Sequence, residues 1–382
     1  MIRKIQDVLK KQGIDGWLLY DFRSQNEHAC TLLNIKKEAH LTRRFFYFIP
    51  QGGVPVKLVH QIESTALDHL EGERRTYFRW EDLKKELKGI LKGVQTVAME
   101  YSPMGSIPTL SVVDGGTLEL VASCGVSIVS SAPFLQEFTC TLSAEELESH
   151  REAAALLNLV VDKVWGLLRA KKGVKETDVQ AFMGDEIEKK GFLLDGNPIC
   201  AFGKNGANPH HSSEPILAKE GDIVLIDLWC KKKGGVFADI ARMGILANRA
   251  SPKEEEIFQT IYRAQQASIK LIQERYAAHQ VIRGYEADEA ARAVIREKGY
   301  ESYFTHRTGH NIFRSNHGPG ANLDGLETYD DRPLIPRTCF SVEPGIYISG
   351  EVGMRLETDV YIHENGKVEV TAGLQDHLEL LT

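Results

Sequence analysis

Residues 221–229, GDIVLIDLW, set an acidic side chain, Asp227, inside a run of Ile, Val and Leu, and residues 236–242, VFADIAR, do the same with Asp239. Short aliphatic runs of this kind, entered after glycine, read as strands. Two runs near the end of the chain repeat the pattern: TCFSVEPGIYI (338–348) carries Glu343 and GMRLETDVYI (353–362) carries Glu357. A lone carboxylate buried among aliphatic side chains costs several kcal/mol or must take up a proton. For one such residue an arginine partner or a wet strand end is the commoner explanation. For all four, two in each strand pair at matching places, shared cations are the better one.

Working outward, each strand pair follows two helical patterns. Ser143 stands three residues before Glu146, the spacing of a capping box, and the segment to Gly173 runs apolar at helical period. A second helix is expected from about Thr177 to Lys190. After the first strand pair the order returns: Ser251, Pro252 and Glu254 open a helix, and EADEAARAVIREKG (286–299) supplies the next. The second strand pair ends in a turn at Asn365-Gly366. Residues 141–382 therefore read as a structural repeat of helix, helix, strand, strand, with helices on one face of a sheet and a pseudo-twofold relation that would bring the carboxylates face to face.

The first 140 residues alternate differently. An amphipathic helix (Ile2, Ile5, Val8, Leu9) precedes the strand-like WLLYDF, FFYFIP and VKLVH, a charged helix from Trp80 to Leu91, and TVAME. This is a mixed α/β layer with nothing catalytic in it. A length of 382 residues agrees with two domains, 1–140 and 141–382. The net charge of -7 leaves no basic excess for nucleic acid. No window reaches the ~20 apolar residues of a membrane span and no signal peptide is evident, so a cytoplasmic location is expected. The six cysteines form no CxxC pair and read as reduced thiols.

Histidines supply the remaining donors. FTHRTGHNIFRSNHGPG (304–320) holds His306, His310 and His317 in a Gly-rich segment between the second repeat's helices and strands, and His210 and His211 precede Asp227. Carboxylates with a histidine suit Mn, Fe, Co or Zn, and two such ions can share bridging carboxylates.

With these residues in place, the sequence resembles the pita-bread metallopeptidases, the group of aminopeptidase P, prolidase and methionine aminopeptidase, whose ordered ligand set is Asp, Asp, His, Glu, Glu. The matching positions are Asp227, Asp239, His310, Glu343 and Glu357, and the resemblance covers about 240 residues well. The first 140 residues resemble more loosely the creatinase-type domain of aminopeptidase P and prolidase, which methionine aminopeptidase lacks. The fold class implied is α+β, a C-terminal pita-bread domain behind an N-terminal creatinase-like α/β domain.

Carried over, the resemblance makes Asp227 a ligand of one metal, Asp239 and Glu357 bridges, and His310 and Glu343 ligands of the other. Glu343 is also the proton acceptor for the attacking water. His317 contacts substrate and steadies the tetrahedral intermediate, His210 lies at the substrate mouth, and Arg355 orients substrate or a ligand carboxylate; a solvated strand charge is the plainer alternative for Arg355. His211 and His306 are left as outer or surface residues. The implied cofactor is a pair of divalent ions, manganese first, with cobalt, zinc or iron accepted by the same donors. The implied substrate is a proline-containing peptide and the implied assembly a homodimer. Competing readings are a metal-dependent lyase or small-molecule hydrolase on the same fold, and a non-catalytic binding module.

The chain departs from the family at four places. Asp227 and Asp239 are twelve apart where eleven is usual, so the KKKGG turn (231–235) is expected to hold an extra residue that a bulge can absorb. Ala241 replaces a threonine, and Trp229 and Phe313 stand where small residues are usual. These changes leave the ligands intact and alter the pocket.

Overall fold

A computed structural model describes residues 1–36, 39 and 41–382. The chain divides into two compact units, Met1–Thr139 and Cys140–Thr382.

The first unit is built from α1 (Ile2–Gln12), β1 (Gly16–Asp21), α2 (Glu27–Leu32), β2 (Phe45–Pro50), β3 (Val56–His60), β4 (Glu73–Tyr77), α3 (Trp80–Ile90), β5 (Thr96–Met99), α4 (Gly115–Ala122), β6 (Ser127–Ser130) and α5 (Ala132–Thr139). Its strands form one sheet in the order β4-β3-β2-β1-β5-β6. Only β2 runs against the others, so the remaining strands present their carboxyl ends along one edge. The central β1 is buried along its whole length, which is why WLLYD carries apolar residues on both faces. Ile2, Ile5 and Leu9 bury the apolar stripe of α1. β4, with the sequence ERRTY, escapes sequence reading: it is largely exposed and carries no apolar alternation.

The second unit contains α6 (Ala144–Ala170), α7 (Glu176–Glu188), β7 (Ile199–Phe202), β8 (Ile223–Cys230), β9 (Ala238–Ile245), α8 (Pro252–Ala277), α9 (Gly284–Glu297), β10 (Asn311–Ile312), β11 (Cys339–Val342), β12 (Gly345–Ile348), β13 (Val352–Arg355), β14 (Thr358–Ile362), β15 (Val368–Val370) and β16 (Glu379–Leu380). The long helices α6 and α8 begin with the expected capping boxes, Ser143 with Glu146 and Ser251 with Glu254. Each satisfies orphan amides at the helix start and fixes where the helix begins. Short β7 joins the β8–β9 hairpin in the order β16-β9-β8-β7, while β10-β11-β14-β15 and β12-β13 make up the rest. The repeat is thus more elaborate than helix, helix, strand, strand.

Two expectations are corrected here. TCFSVEPGIYI and GMRLETDVYI are not continuous strands. Each breaks in the middle: β11 stops before Glu343-Pro344 and β12 starts after it, while β13 and β14 flank Leu356-Glu357. β11 pairs with β14, and β12 with β13. Pro344 has no amide hydrogen to continue a ladder, and the amide of Glu343 turns away to the Thr308 carbonyl at 2.6 Å. The second correction concerns the extra residue before Asp239. No bulge absorbs it, because the β8–β9 register is unbroken from Ile223↔Ile245 to Cys230↔Ala238. The KKKGG turn holds it as expected, within the loop 231–237, turning at Gly234, whose φ of 78° suits glycine.

Candidate metal centre

Cross-strand pairing puts both aspartates on one face. Trp229 lies opposite Asp239 and Asp227 opposite Ala241, and paired residues share a face, so Asp227, Trp229, Asp239 and Ala241 point the same way. Glu343 and Glu357 reach that face from the two strand breaks. The break at Glu357 is tied to the first half of the repeat: its amide donates to the Ala241 carbonyl at 3.2 Å, and Arg242 Nη1 donates to its carbonyl at 2.5 Å. In the reverse sense, the Asp239 amide donates to Asp359 Oδ2 at 2.8 Å.

His310 completes the cluster. Its Nε2 lies 3.4 Å from Glu343 Oε1, 3.8 Å from Asp239 Oδ2 and 4.0 Å from Glu357 Oε1. Its Nδ1 lies 3.3 Å from the Asn311 carbonyl, which can only accept, so the proton belongs on Nδ1 and the Nε2 lone pair faces the carboxylates. Ser341 braces this corner, accepting from the His310 amide at 3.0 Å and donating to Glu343 Oε1 at 3.2 Å.

Electrostatically the site is a stack of buried acids. Burial, then the neighbouring Asp227 and Asp359, pushes Asp239 well above the usual carboxylate range. Burial, then Asp239 and Glu343, does the same to Glu357. Glu343 is pushed up to about 7, chiefly by burial. Burial drives His310 well below the ordinary imidazole value, with His317 adding to it.

The residues fit a divalent cation. Asp239, His310 and Glu357 each aim one ligand atom at a common point, with all of these atoms within 4.8 Å of one another. Among the described residues, buried Asp239 Oδ1 and Glu357 Oε1 have no hydrogen-bond donor. Unpaired buried carboxylate oxygens beside a neutral imidazole are costly alone and well served by a hard or borderline cation.

Asp227 stands slightly apart. It is buried on the same face, but its Oδ2 accepts from Arg355 Nη2. Arg355 is only 5% exposed, which removes the solvated-charge reading for it, and its Nη1 also donates to Tyr347 Oη at 3.2 Å. Tyr347 Oη lies 2.7 Å from His306 Nε2, so His306, Tyr347, Arg355 and Asp227 form one hydrogen-bonded chain. His317 sets its ring edge-on to His310, centroids 4.2 Å apart, and is itself exposed. His210 is exposed too. Its loop is held on one side by buried His211, whose Nε2 meets Glu176 Oε2 at 2.8 Å. On the other side Gly206 packs on Gly353 so closely that a Cβ on Gly353 would lie 1.8 Å from the Gly206 carbonyl oxygen.

Sequence reasoning missed Asn316, whose Nδ2 donates to Asp239 Oδ2 at 2.7 Å, and Asp195, which accepts from Trp229 Nε1 at 2.5 Å. It also missed Tyr347 and Asp359. Tyr347 had a usable signal, being a polar tip inside an apolar run at the same strand parity as Glu343; Asn316 and Asp195 had none.

Residues 148–364 match the model of metallopeptidase family M24, and the chain belongs to that family. The probable dipeptidase PepE of Mycobacterium tuberculosis is 31% identical over 346 residues, covering 89% of this chain and 86% of the relative. The Xaa-Pro dipeptidase of Lactobacillus helveticus is 29% identical over 235 residues, covering 61% of this chain and 60% of the relative. Among solved structures, dipeptidase PepE from Mycobacterium ulcerans superposes with a TM-score of 0.72 at 24% identity, covering 100% of this chain and 96% of that one. The fold is the α+β pita-bread fold of these peptidases, and the family is one of divalent-metal enzymes. Among the described residues, no helix is long and apolar enough to cross a membrane.

Proposed function

We propose that this chain is a cytoplasmic, homodimeric Xaa-Pro peptidase that works with two divalent ions, manganese in the first place. The observation that carries the reading is the convergence of His310 Nε2 with the carboxylates of Asp239, Glu343 and Glu357 on one buried face. The name of the Lactobacillus relative supports the substrate class. In this reading residues 141–382 are the catalytic domain and residues 1–140 a creatinase-like domain. Asp227 would hold one ion, His310 with Glu343 the other, and Asp239 and Glu357 would serve both.

Cations held by these residues would supply Lewis-acid polarisation of the scissile carbonyl and a more acidic attacking water. Glu343 accepts that water's proton and returns it to the leaving nitrogen. Glu343 suits this role by position, its carboxylate lying beside His310 at the centre of the cluster and braced by Ser341. The prolyl nitrogen of an Xaa-Pro bond carries no hydrogen of its own, so the returned proton is what lets it depart as an amine. His317 donates to the oxyanion as it forms, and His210 holds the peptide at the mouth. Arg355 steadies Asp227 rather than meeting solvent. Trp229, fixed by Asp195 on the face of the aspartates, replaces the small residue usual in the family and narrows the site beside Asp239.

The test is hydrolysis of Xaa-Pro dipeptides, Xaa-Pro-Yaa tripeptides and matched Xaa-Ala controls by chelator-stripped protein, before and after Mn, Co or Zn is added. Metal-restored cleavage confined to the proline peptides is expected. Stoichiometric metal binding with no cleavage of any proline peptide would overturn the assignment.

A further inference from the structure

The first unit contains a cavity of about 710 Å³ far from any residue of the chemistry above in sequence, and nothing in that chemistry uses it. It opens along the edge where the parallel strands end. Tyr20 and Phe22 come from the end of β1, His60 from the end of β3, Tyr77 and Phe78 from β4 and just after it, and Arg43 and Arg44 from the turn into β2. Crevices outside the carboxyl ends of strands in an α/β sheet are where such folds bind small molecules, and the volume lies within the ~300–1,000 Å³ range of such sites.

Its walls combine two chemistries. One is cationic: Arg43, Arg44 and Arg79 line the cavity, and among the described residues none has a carboxylate within ion-pair distance, although Arg43 Nη1 donates to Thr42 Oγ1 at 2.8 Å. Elsewhere on the same sheet Arg74 and Arg75 do find Asp68, Glu73 and Glu86. The other is aromatic. Phe78 and Trp80 remain 63% and 48% exposed at the cavity, and the Arg44 guanidinium lies 5.1 Å from the centre of the Trp80 ring. The one lining carboxylate, Asp114, is turned inward on Thr117 and Tyr20. Unpaired arginines are suited to bidentate capture of carboxylate or phosphate, and exposed aromatic faces are suited to stacking.

We propose that this cavity binds a small molecule in which a planar aromatic ring is joined to an anionic group, the ring stacking on Trp80 and Phe78 and the anion lying between Arg44 and Arg79. The ligand sits in the first unit and needs neither the metal nor the peptide.

The experiment uses the full chain stripped with chelator, so that no probe is read through metal binding. Phenyl phosphate and phenylpyruvate are titrated by calorimetry and by tryptophan fluorescence, with phenol and inorganic phosphate as probes carrying only one half of the chemistry. At least one ring-bearing anion is expected to bind, with phenol and inorganic phosphate at least tenfold weaker, and the preferred probe distinguishes a phosphate from a carboxylate ligand. Arg44→Gln and the surface change Arg79→Gln should each weaken that binding at least tenfold, and Trp80→Phe should abolish the fluorescence change. Failure of both ring-bearing anions to bind at millimolar concentration would overturn the proposal, as would binding that both arginine variants leave intact. A change of oligomeric state in Trp80→Ala without binding of either probe would assign the cavity to contact between copies, and would overturn it equally.

Discussion

The two halves of the C-terminal unit use the same parts and deliver their acids differently. In the first half, Asp227 and Asp239 sit on a hairpin whose ladder is unbroken for its full length. In the second half, Glu343 and Glu357 occupy the breaks of a bent hairpin whose two segments join different sheets. A short aspartate on a flat face reaches the site directly; a longer glutamate reaches it from a break where the backbone has left its own ladder. The amides freed at these breaks find partners elsewhere, Glu343 donating to Thr308 within the second half and Glu357 to Ala241 across the repeat. The register is the same on both sides of the break, Val342↔Thr358 before it and Gly345↔Arg355 after it, so Glu343 and Glu357 stand opposite each other across the hairpin and the break frees their backbone from the ladder.

The largest expected effect separates the halves by role. Glu343→Gln keeps the shape and the bend but removes the proton acceptor, so kcat should fall about 10²–10⁴-fold while the unfolding midpoint stays near wild type. Retained turnover would show that the second half supplies ligands only.

Next in size is the effect of removing metal. The folded-state pKa of Glu343 is raised from 4.5 to about 7, so in chelated protein its contribution to stability is fully present below about pH 4.5 and is lost as pH rises through 7. Asp239 and Glu357 shift in the same direction. Hydrogen exchange of β9 and β14 in chelator should therefore accelerate, after correction for intrinsic rates, between pH 5 and 8. Added metal should reverse it in both strands, and Asp239→Asn should lessen it. A response confined to one strand would break the equivalence of the halves as acid donors.

The smallest effect tests the equivalence of their scaffolds. Ser143→Ala and Ser251→Ala each remove one side of a capping box, and each should cost about 1 kcal/mol in urea unfolding. Costs differing by more than twofold would mean that one long helix leans on packing where the other leans on its cap.

Much of this site was legible before any coordinates. Acids inside aliphatic runs mark themselves because their burial is costly, and His310 stands out by its position in a Gly-rich segment between helices and strands. The breaks at Glu343 and Glu357 were not legible, because TCFSVEPGIYI is apolar on both sides of its Pro-containing step and periodicity has no means to tell a bent strand from a straight one. The partner of Arg355 was likewise open, as Asp227 is 128 residues away in sequence.

By itself, the sequence determined the capped helices, the identity of the strand-borne acids and the repeated order that sets them in two pairs. Those features depend on residues three or four apart, or on side-chain type, and so are written locally along the chain. Tertiary structure alone decided which oxygens stand near His310 Nε2, which acid Arg355 takes, and that Asn316 and Asp195 fix Asp239 and Trp229. Each of these depends on a hydrogen bond or ion pair closed between distant segments, and only the packed sheets bring those segments within reach.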